Sequence, residues 1–193
     1  MQYFRNLYHY DAPDSLRLFR RSFKAVIISH LQEAVTTGNM DNKLKIPLII
    51  YADDDPEDIF LIQNAFNESM FEGELRFVNN GEELMDYLRA RGRYNDPVLY
   101  PKPDLILLDL NMPRMDGREA LAEIKSDVKL RSLPIVIFTT SNREEDIVRS
   151  YELGANSYIT KPMTFEGFIK ITDALGKYWF QISKLPLLRW DME

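Results

Sequence analysis

Four short apolar runs punctuate the chain: Pro47-Leu48-Ile49-Ile50-Tyr51-Ala52, Leu105 to Leu108, Leu133-Pro134-Ile135-Val136-Ile137-Phe138 and Asn156-Ser157-Tyr158-Ile159-Thr160. Unbroken apolar runs of this length, bounded by turn residues, read as strands covered on both faces. Glu74 to Val78 reads as a fifth, short strand. Between them the period changes to three and four. Asp55-Pro56-Glu57-Asp58 supplies a cap, a proline at the first helical position and acids in the first turn, ahead of a stripe of Ile59, Ile62, Phe66 and Met70. Asn80-Gly81-Glu82-Glu83 opens a second helix, running to about Arg91, with a capping-box-like pattern. The third helix spans Gly117 to Ser126. The fourth follows a capping-box start at Ser141-Asn142-Arg143-Glu144 and stops at Leu153-Gly154. The fifth begins at Thr164 and carries Phe165, Phe168, Ile169, Leu175, Tyr178, Trp179 and Ile182. Strands alternating with helices in this way predict a doubly wound α/β domain around a five-stranded parallel sheet.

The ends of the chain do not follow that alternation. Residues 12–35 carry Leu16, Phe19, Phe23, Ile27, Leu31 and Ala34 at helical spacing beside Arg17, Arg20, Arg21 and Lys24, which predicts a basic amphipathic helix. Met40-Asp41-Asn42-Lys43 looks like a second beginning. The expected organisation is an extension over 1–44, a domain over 45–183 and a tail over 184–193. Residues 92–103, with Gly92, Pro97, Pro101 and Pro103, form a long loop that suits either partner recognition or solvated filler.

Composition narrows the chemistry. The 193 residues are 45% hydrophobic, enough for one core plus an appendage. There is no cysteine, so disulfides, thiol catalysis and cysteine-based zinc sites are excluded. The two histidines, His9 and His30, both precede the domain, which excludes a histidine metal site or a Ser-His-Asp triad within it. The net charge of −6 divides into +2 for residues 1–39 and −8 for the rest, so nucleic-acid binding by the main domain is not expected. No apolar run approaches the roughly 20 residues of a membrane span, and a cytoplasmic location is expected.

Against that background one carboxylate stands out. Leu105 to Leu108 run directly into Asp109, and Pro113 and Gly117 turn the chain before the next helix, leaving Asp109 at the mouth of a cleft. Ligands of open parallel sheets bind at the carboxyl ends of the strands. The other strand ends carry Asp53-Asp54-Asp55, Thr139-Thr140-Ser141 and Lys161-Pro162, so an acid cluster, a nucleophilic carboxylate, hydroxyls and a lysine converge on one crevice. Two carboxylates ~4 Å apart repel by about 4 kcal/mol at an effective dielectric of ~20, so Asp53, Asp54 and Asp109 together call for a cation. Oxygen ligands without Cys or His favour Mg²⁺ or Mn²⁺ over zinc.

Four of these segments, Asp53-Asp54, Asp109-x-Asn111-Met112-Pro113-x-Met115-Asp116-Gly117, Thr139 and Tyr158-x-x-Lys161-Pro162, occur in the order and strand context of the receiver domain of two-component response regulators, which the chain resembles over residues 45–183. Arg89-Ala90-Arg91-Gly92-Arg93-Tyr94, Thr139-Thr140-Ser141-Asn142-Arg143 and Leu175-Gly176-Lys177-Tyr178-Trp179 are similar to the small stand-alone group that includes the cyanobacterial phytochrome response regulators.

The resemblance implies a flavodoxin-like receiver with strand order 2-1-3-4-5. It implies Asp109 as phospho-acceptor, a Mg²⁺ or Mn²⁺ ion held by Asp54, Asp109 and the backbone carbonyl of Asn111, and Asp53 acting through water. Lys161 and the Thr139 hydroxyl would contact phosphoryl oxygens, Tyr158 would be the switch coupled to Thr139, and the Lys161–Pro162 peptide would be cis. The partners implied are a sensor histidine kinase or phosphotransfer protein, phytochrome-like kinases included, and a second copy of the chain; an output domain and an enzymatic activity beyond self-phosphorylation and self-dephosphorylation are not expected. Two alternatives remain: a pseudo-receiver that binds a partner without phosphorylation, and a small phosphatase using Asp53-x-Asp55, although Glu57 stands where that superfamily usually has Thr or Val. For dimerisation, Phe180 falls about 100° from Trp179 on an α-helix, so part of the aromatic cluster is expected to stay exposed.

Overall fold

β1 (Leu48–Ala52), β2 (Glu74–Val78), β3 (Leu105–Leu108), β4 (Ile135–Thr139) and β5 (Ser157–Thr160) form one parallel sheet in the order β2-β1-β3-β4-β5. The computed structural model describes residues 46–186. The expected helix over 12–35 and tail residues 187–193 lie outside the described residues. The helices are α1 (Pro56–Glu68), α2 (Gly81–Leu88), α3 (Gly117–Ser126), α4 (Glu144–Glu152) and α5 (Phe165–Gly176).

The period of two along each strand divides the core into two layers. Ile50, Ala52, Ile106, Leu108, Ile135 and Ile137 pack with Leu84, Met85 and Leu88 of α2 and Ala120, Leu121 and Ile124 of α3. Their alternates Ile49, Tyr51, Leu105, Leu107, Val136 and Phe138 pack with Ile62 and Ala65 of α1 and Phe168 and Leu175 of α5. The three central strands are buried at every position, which is why they read as continuous apolar runs.

α4 differs from the other helices. Its fully buried residues are Asp146 and Ser150, both polar, while Val148 and Tyr151 are exposed. Its start also departs from the capping-box expectation: Arg143 is the N-cap and makes no side-chain cap bond, because the Ser141 hydroxyl is directed to the Asp146 carboxylate at 2.6 Å instead. The reciprocal box is found on α3, where Asp116 accepts from Arg118 and Glu119 N–H and Glu119 accepts from Asp116 N–H. At the far end of α4 the chain turns through Gly154 with φ +97°, a conformation suited to glycine.

Two further segments correct the expectations. α2 ends at Leu88 rather than near Arg91, and Ala90 enters the left-handed region at φ 53°. The loop beyond it is packed: Tyr87, Tyr94 and Tyr100 contact one another with ring centroids 4.9–5.9 Å apart, and the Tyr87 hydroxyl donates to Pro101 O at 2.9 Å. Beyond α5 the helix widens into a π-helical turn, Lys177–Ile182, with Ser183 N–H bonded to Tyr178 O five residues back. That change of pitch lets Trp179 and Phe180 both pack against the core, Phe180 stacking on Phe71 at 5.0 Å, and leaves Tyr178 and Ile182 as the exposed pair.

Candidate functional site

The sheet ladder continues one residue past the strands and thereby fixes the site. Asp53 N–H donates to Val78 O at 3.0 Å, Asp109 N–H to Ala52 O at 3.0 Å and Lys161 N–H to Thr139 O at 2.8 Å. With Ala52 beside Leu108, and Thr139 beside Thr160, Asp53 and Asp109 emerge from the neighbouring ends of β1 and β3, and Lys161 from the end of β5, one strand beyond β4. Carboxylate oxygens of Asp53, Asp54 and Asp109 lie within 4.8 Å of one another. Asp53 and Asp109 are buried and Asp54 is exposed at the mouth.

Lys161 is the cation among these acids. Its ammonium is 2.6 Å from Asp53 Oδ2, 2.7 Å from Asp58 Oδ2 and 3.6 Å from Asp109 Oδ1. Burial works against its charge, but the carboxylates of Asp53 and Asp109 outweigh it and its pKa is raised. Burial likewise raises the Asp53 carboxyl, with Lys161 opposing. Both Asp53 oxygens are engaged: Oδ2 accepts from the Tyr51 hydroxyl and from Lys161, and Oδ1 accepts from Asp55 N–H at 3.0 Å. The Tyr51 phenol is pushed up by burial and by Asp53, so it is a donor only.

Asp109 is less complete. Oδ2 accepts from Asn111 N–H at 2.9 Å, whereas Oδ1 is buried without a hydrogen-bond partner. An unsatisfied buried carboxylate oxygen beside two further carboxylates is the arrangement a divalent cation completes, so the residues present fit one. Thr139 is fully buried and its Oγ1 accepts from Ser141 N–H at 3.4 Å, which leaves its hydrogen to be donated elsewhere. The Tyr158 hydroxyl donates to Ser141 O at 3.0 Å.

The turn after Asp109 is closed by two glycines. A Cβ on Gly117 would lie 1.9 Å from Asp109 O, and one on Gly81 would lie 2.7 Å from Met115 O, so neither position has room for a side chain. Gly117 N–H donates to Leu110 O and Gly81 N–H to Met115 O, each at 3.0 Å, seating the β3–α3 turn on the start of α2.

The structure brings Asp53, Asp54, Asp109 and Lys161, which the strand ends predict to converge, together at one crevice. One expectation is corrected: the Lys161–Pro162 peptide is trans, as is every peptide bond among the described residues. The trans form of an X–Pro bond is preferred by about 0.5–1 kcal/mol, and Lys161 makes its backbone bond to Thr139 and its ion pairs in that form. Asp58 was read only as a first-turn helix acid. The signal for its second role is that α1 starts directly above the strand ends, so a first-turn side chain can reach the crevice.

Residues 49–173 match the response regulator receiver domain family. The chain is 37% identical over 139 residues to the response regulator Rcp1 of Synechocystis, covering 72% of this chain and 92% of that protein. The phosphorylated cyanobacterial phytochrome response regulator RcpA superposes with a TM-score of 0.68 at 42% identity, covering 74% of this chain and 99% of that one. The Mn²⁺-bound form of Rcp1 superposes with a TM-score of 0.66 at 37% identity, covering 72% and 99%.

Proposed function

The chain belongs to the response regulator receiver domain family of two-component signalling, and from that premise we propose that Asp109 is its phospho-acceptor. The observation that carries this reading is the lone uncommitted oxygen of Asp109, buried beside Lys161 and within reach of Asp53 and Asp54. Asp109 attacks the phosphorus of a phosphohistidine, or of a small donor such as acetyl phosphate; the P–N or P–O bond to the leaving group breaks and an acyl phosphate forms on Asp109.

Asp54 and Asp109, the backbone carbonyl of Asn111 and, through water, Asp53 would hold a Mg²⁺ or Mn²⁺ ion, which supplies positive charge to the transferring oxygens. Lys161 would add a second positive charge, and the Thr139 hydroxyl would donate to a phosphoryl oxygen. The Tyr158 ring then reports the change at Thr139 to the surface of α4 and β5. The domain spans residues 45–183, with 1–44 as an extension and 184–193 as a tail, and works in the cytoplasm. Its donor is a sensor histidine kinase or phosphotransfer protein, with a phytochrome-type kinase favoured by the likeness to the cyanobacterial phytochrome response regulator RcpA. The exposed Tyr178 and Ile182 in the π-helical turn beyond α5 support homodimerisation.

Intact-mass measurement after incubation with acetyl phosphate and Mg²⁺ tests the acceptor: one phosphate on the parent and none on Asp109→Asn is expected. Equal labelling of the two removes the assignment. Steady phosphate release from unrelated monoesters would favour the phosphatase reading.

A further inference from the structure

α4 is fastened to the domain by charge where other helices are fastened by apolar burial. Asp146 is 5% exposed, and its two oxygens accept from four donors: Arg118 Nε at 3.1 Å and Nη2 at 2.6 Å on Oδ1, Ser141 Oγ at 2.6 Å and Arg143 Nε at 3.0 Å on Oδ2. Arg118 belongs to the first turn of α3, directly after the Asp116 cap and Gly117. Asp146 O also accepts from the Ser150 hydroxyl at 2.7 Å, a bond within α4 itself. The carboxyl is held down to about 2 by the Ser141 hydroxyl, with Arg118 and Arg143 adding to it against burial, so it stays ionised.

Ser141 is the point at which this cluster meets the phosphorylation site. Its N–H is on Thr139 Oγ1, its hydroxyl on Asp146 and its carbonyl under the Tyr158 hydroxyl. One residue therefore touches the hydroxyl expected to sense the phosphoryl group, the ring expected to report it, and the anchor of α4.

We propose that Asp146 is a positioning residue: through Ser141 it holds Thr139 and Tyr158 in register with each other, and through Arg118 it ties α4 to the start of α3, so that the strength of this latch sets how far phosphorylation moves α4. This rests on the receiver reading. A helix held by one polar cluster, with Val148 and Tyr151 outside, gives up little apolar burial when the cluster rearranges, which is what a two-state element needs.

The test uses the full chain with Ser141→Ala, Asp146→Asn and Tyr158→Phe. Ser141→Ala removes the link while sparing the ion pair, so it remains informative if Asp146→Asn folds poorly. Hydrogen exchange over residues 144–152 should rise about fivefold or more in the free Ser141→Ala and Asp146→Asn proteins, as expected of a locally released helix. The half-saturating concentration of beryllofluoride in the presence of Mg²⁺ should shift about fivefold in each single variant, and Tyr158→Phe should add little in either background, because neighbouring members of one network are not additive. Unchanged exchange in α4 overturns the proposal. So does a Tyr158→Phe effect that adds in full to the other two, since that is what a merely structural role of Asp146 would give. Failure of the acceptor assignment shows separately, as a parent chain that takes up no phosphate.

Discussion

Lys161 and Asp146 are both charges withdrawn from water, with side chains 4% and 6% exposed, and their surroundings are opposite in sign and in completeness. Around Asp146, one carboxylate meets two guanidiniums and a hydroxyl, and every acceptor position faces a donor. Around Lys161, one ammonium faces Asp53, Asp58 and Asp109, with Asp54 close by, and Asp109 Oδ1 is left without a donor. Both clusters meet a desolvation cost. The first meets it fully and is thereby fixed; the second carries excess negative charge, which is the condition for admitting a cation. Completeness, more than burial, separates a structural charge cluster from a reactive one.

The sharpest way to break this contrast is to remove each central charge in turn. Lys161→Met leaves three carboxylates without their cation and is expected to lower stability by about 3 kcal/mol in EDTA. Mg²⁺ should restore much of that, because it supplies the missing positive charge, whereas Asp146→Asn should not respond to Mg²⁺. Thermal melts of both variants with and without the metal decide it; an equal loss for Lys161→Met in both conditions would show that the crevice does not behave as an open cation site.

A smaller effect is expected in acid. The folded pKa of Asp146, about 2, lies below the ordinary 3.8, so its stabilisation is fully present above about pH 4 and is lost as pH falls through about 2. Urea melts across that window should show the parent losing stability faster than Asp146→Asn. Parallel curves would mean that the cluster does not hold the charge.

The smallest effect concerns a third charge, Lys125, whose ammonium rests on neutral oxygens: Leu133 O at 2.7 Å, Arg131 O at 3.2 Å and Asn156 Oδ1 at 3.3 Å. Burial lowers its pKa from 10.5 to about 8. The unfolded chain therefore binds more protons between about pH 8 and 10.5, and this residue's contribution to stability rises with pH across that interval and is flat below it. The difference in stability between the parent and Lys125→Met should change over the same interval; a difference independent of pH would argue that the amine keeps its ordinary affinity for protons.

These three charges also mark where the sequence was and was not legible. The strands, the helices and the site residues Asp53, Asp54, Asp109, Thr139 and Lys161 could be read because each is announced locally, by an apolar run ending in a polar residue or by a change of period. Asp58 and Asp146 could not, since an acid in the first turn of a helix has an ordinary explanation as a cap or dipole partner. Only tertiary placement, over Lys161 in one case and beside Arg118 in the other, gives them a second role. Ser141 was misread for the same reason: a hydroxyl three residues before Glu144 fits a capping box, and the competing carboxylate of Asp146 is stronger. The 92–103 loop read as proline-rich, while what organises it is the packing of Tyr87, Tyr94 and Tyr100 across a distance no local pattern spans.

The near-contact between Gly117 and the carbonyl oxygen of Asp109 has a kinematic meaning. With 1.9 Å between that oxygen and the place a Cβ would occupy, the backbone of Asp109 and the first residue of α3 have no slack between them, and Gly117 is also bonded to Leu110 O. The end of β3 and the start of α3 therefore meet without a gap at this point. On the proposed phospho-acceptor role of Asp109, a displacement there would be passed on to the start of α3 instead of being absorbed between the two.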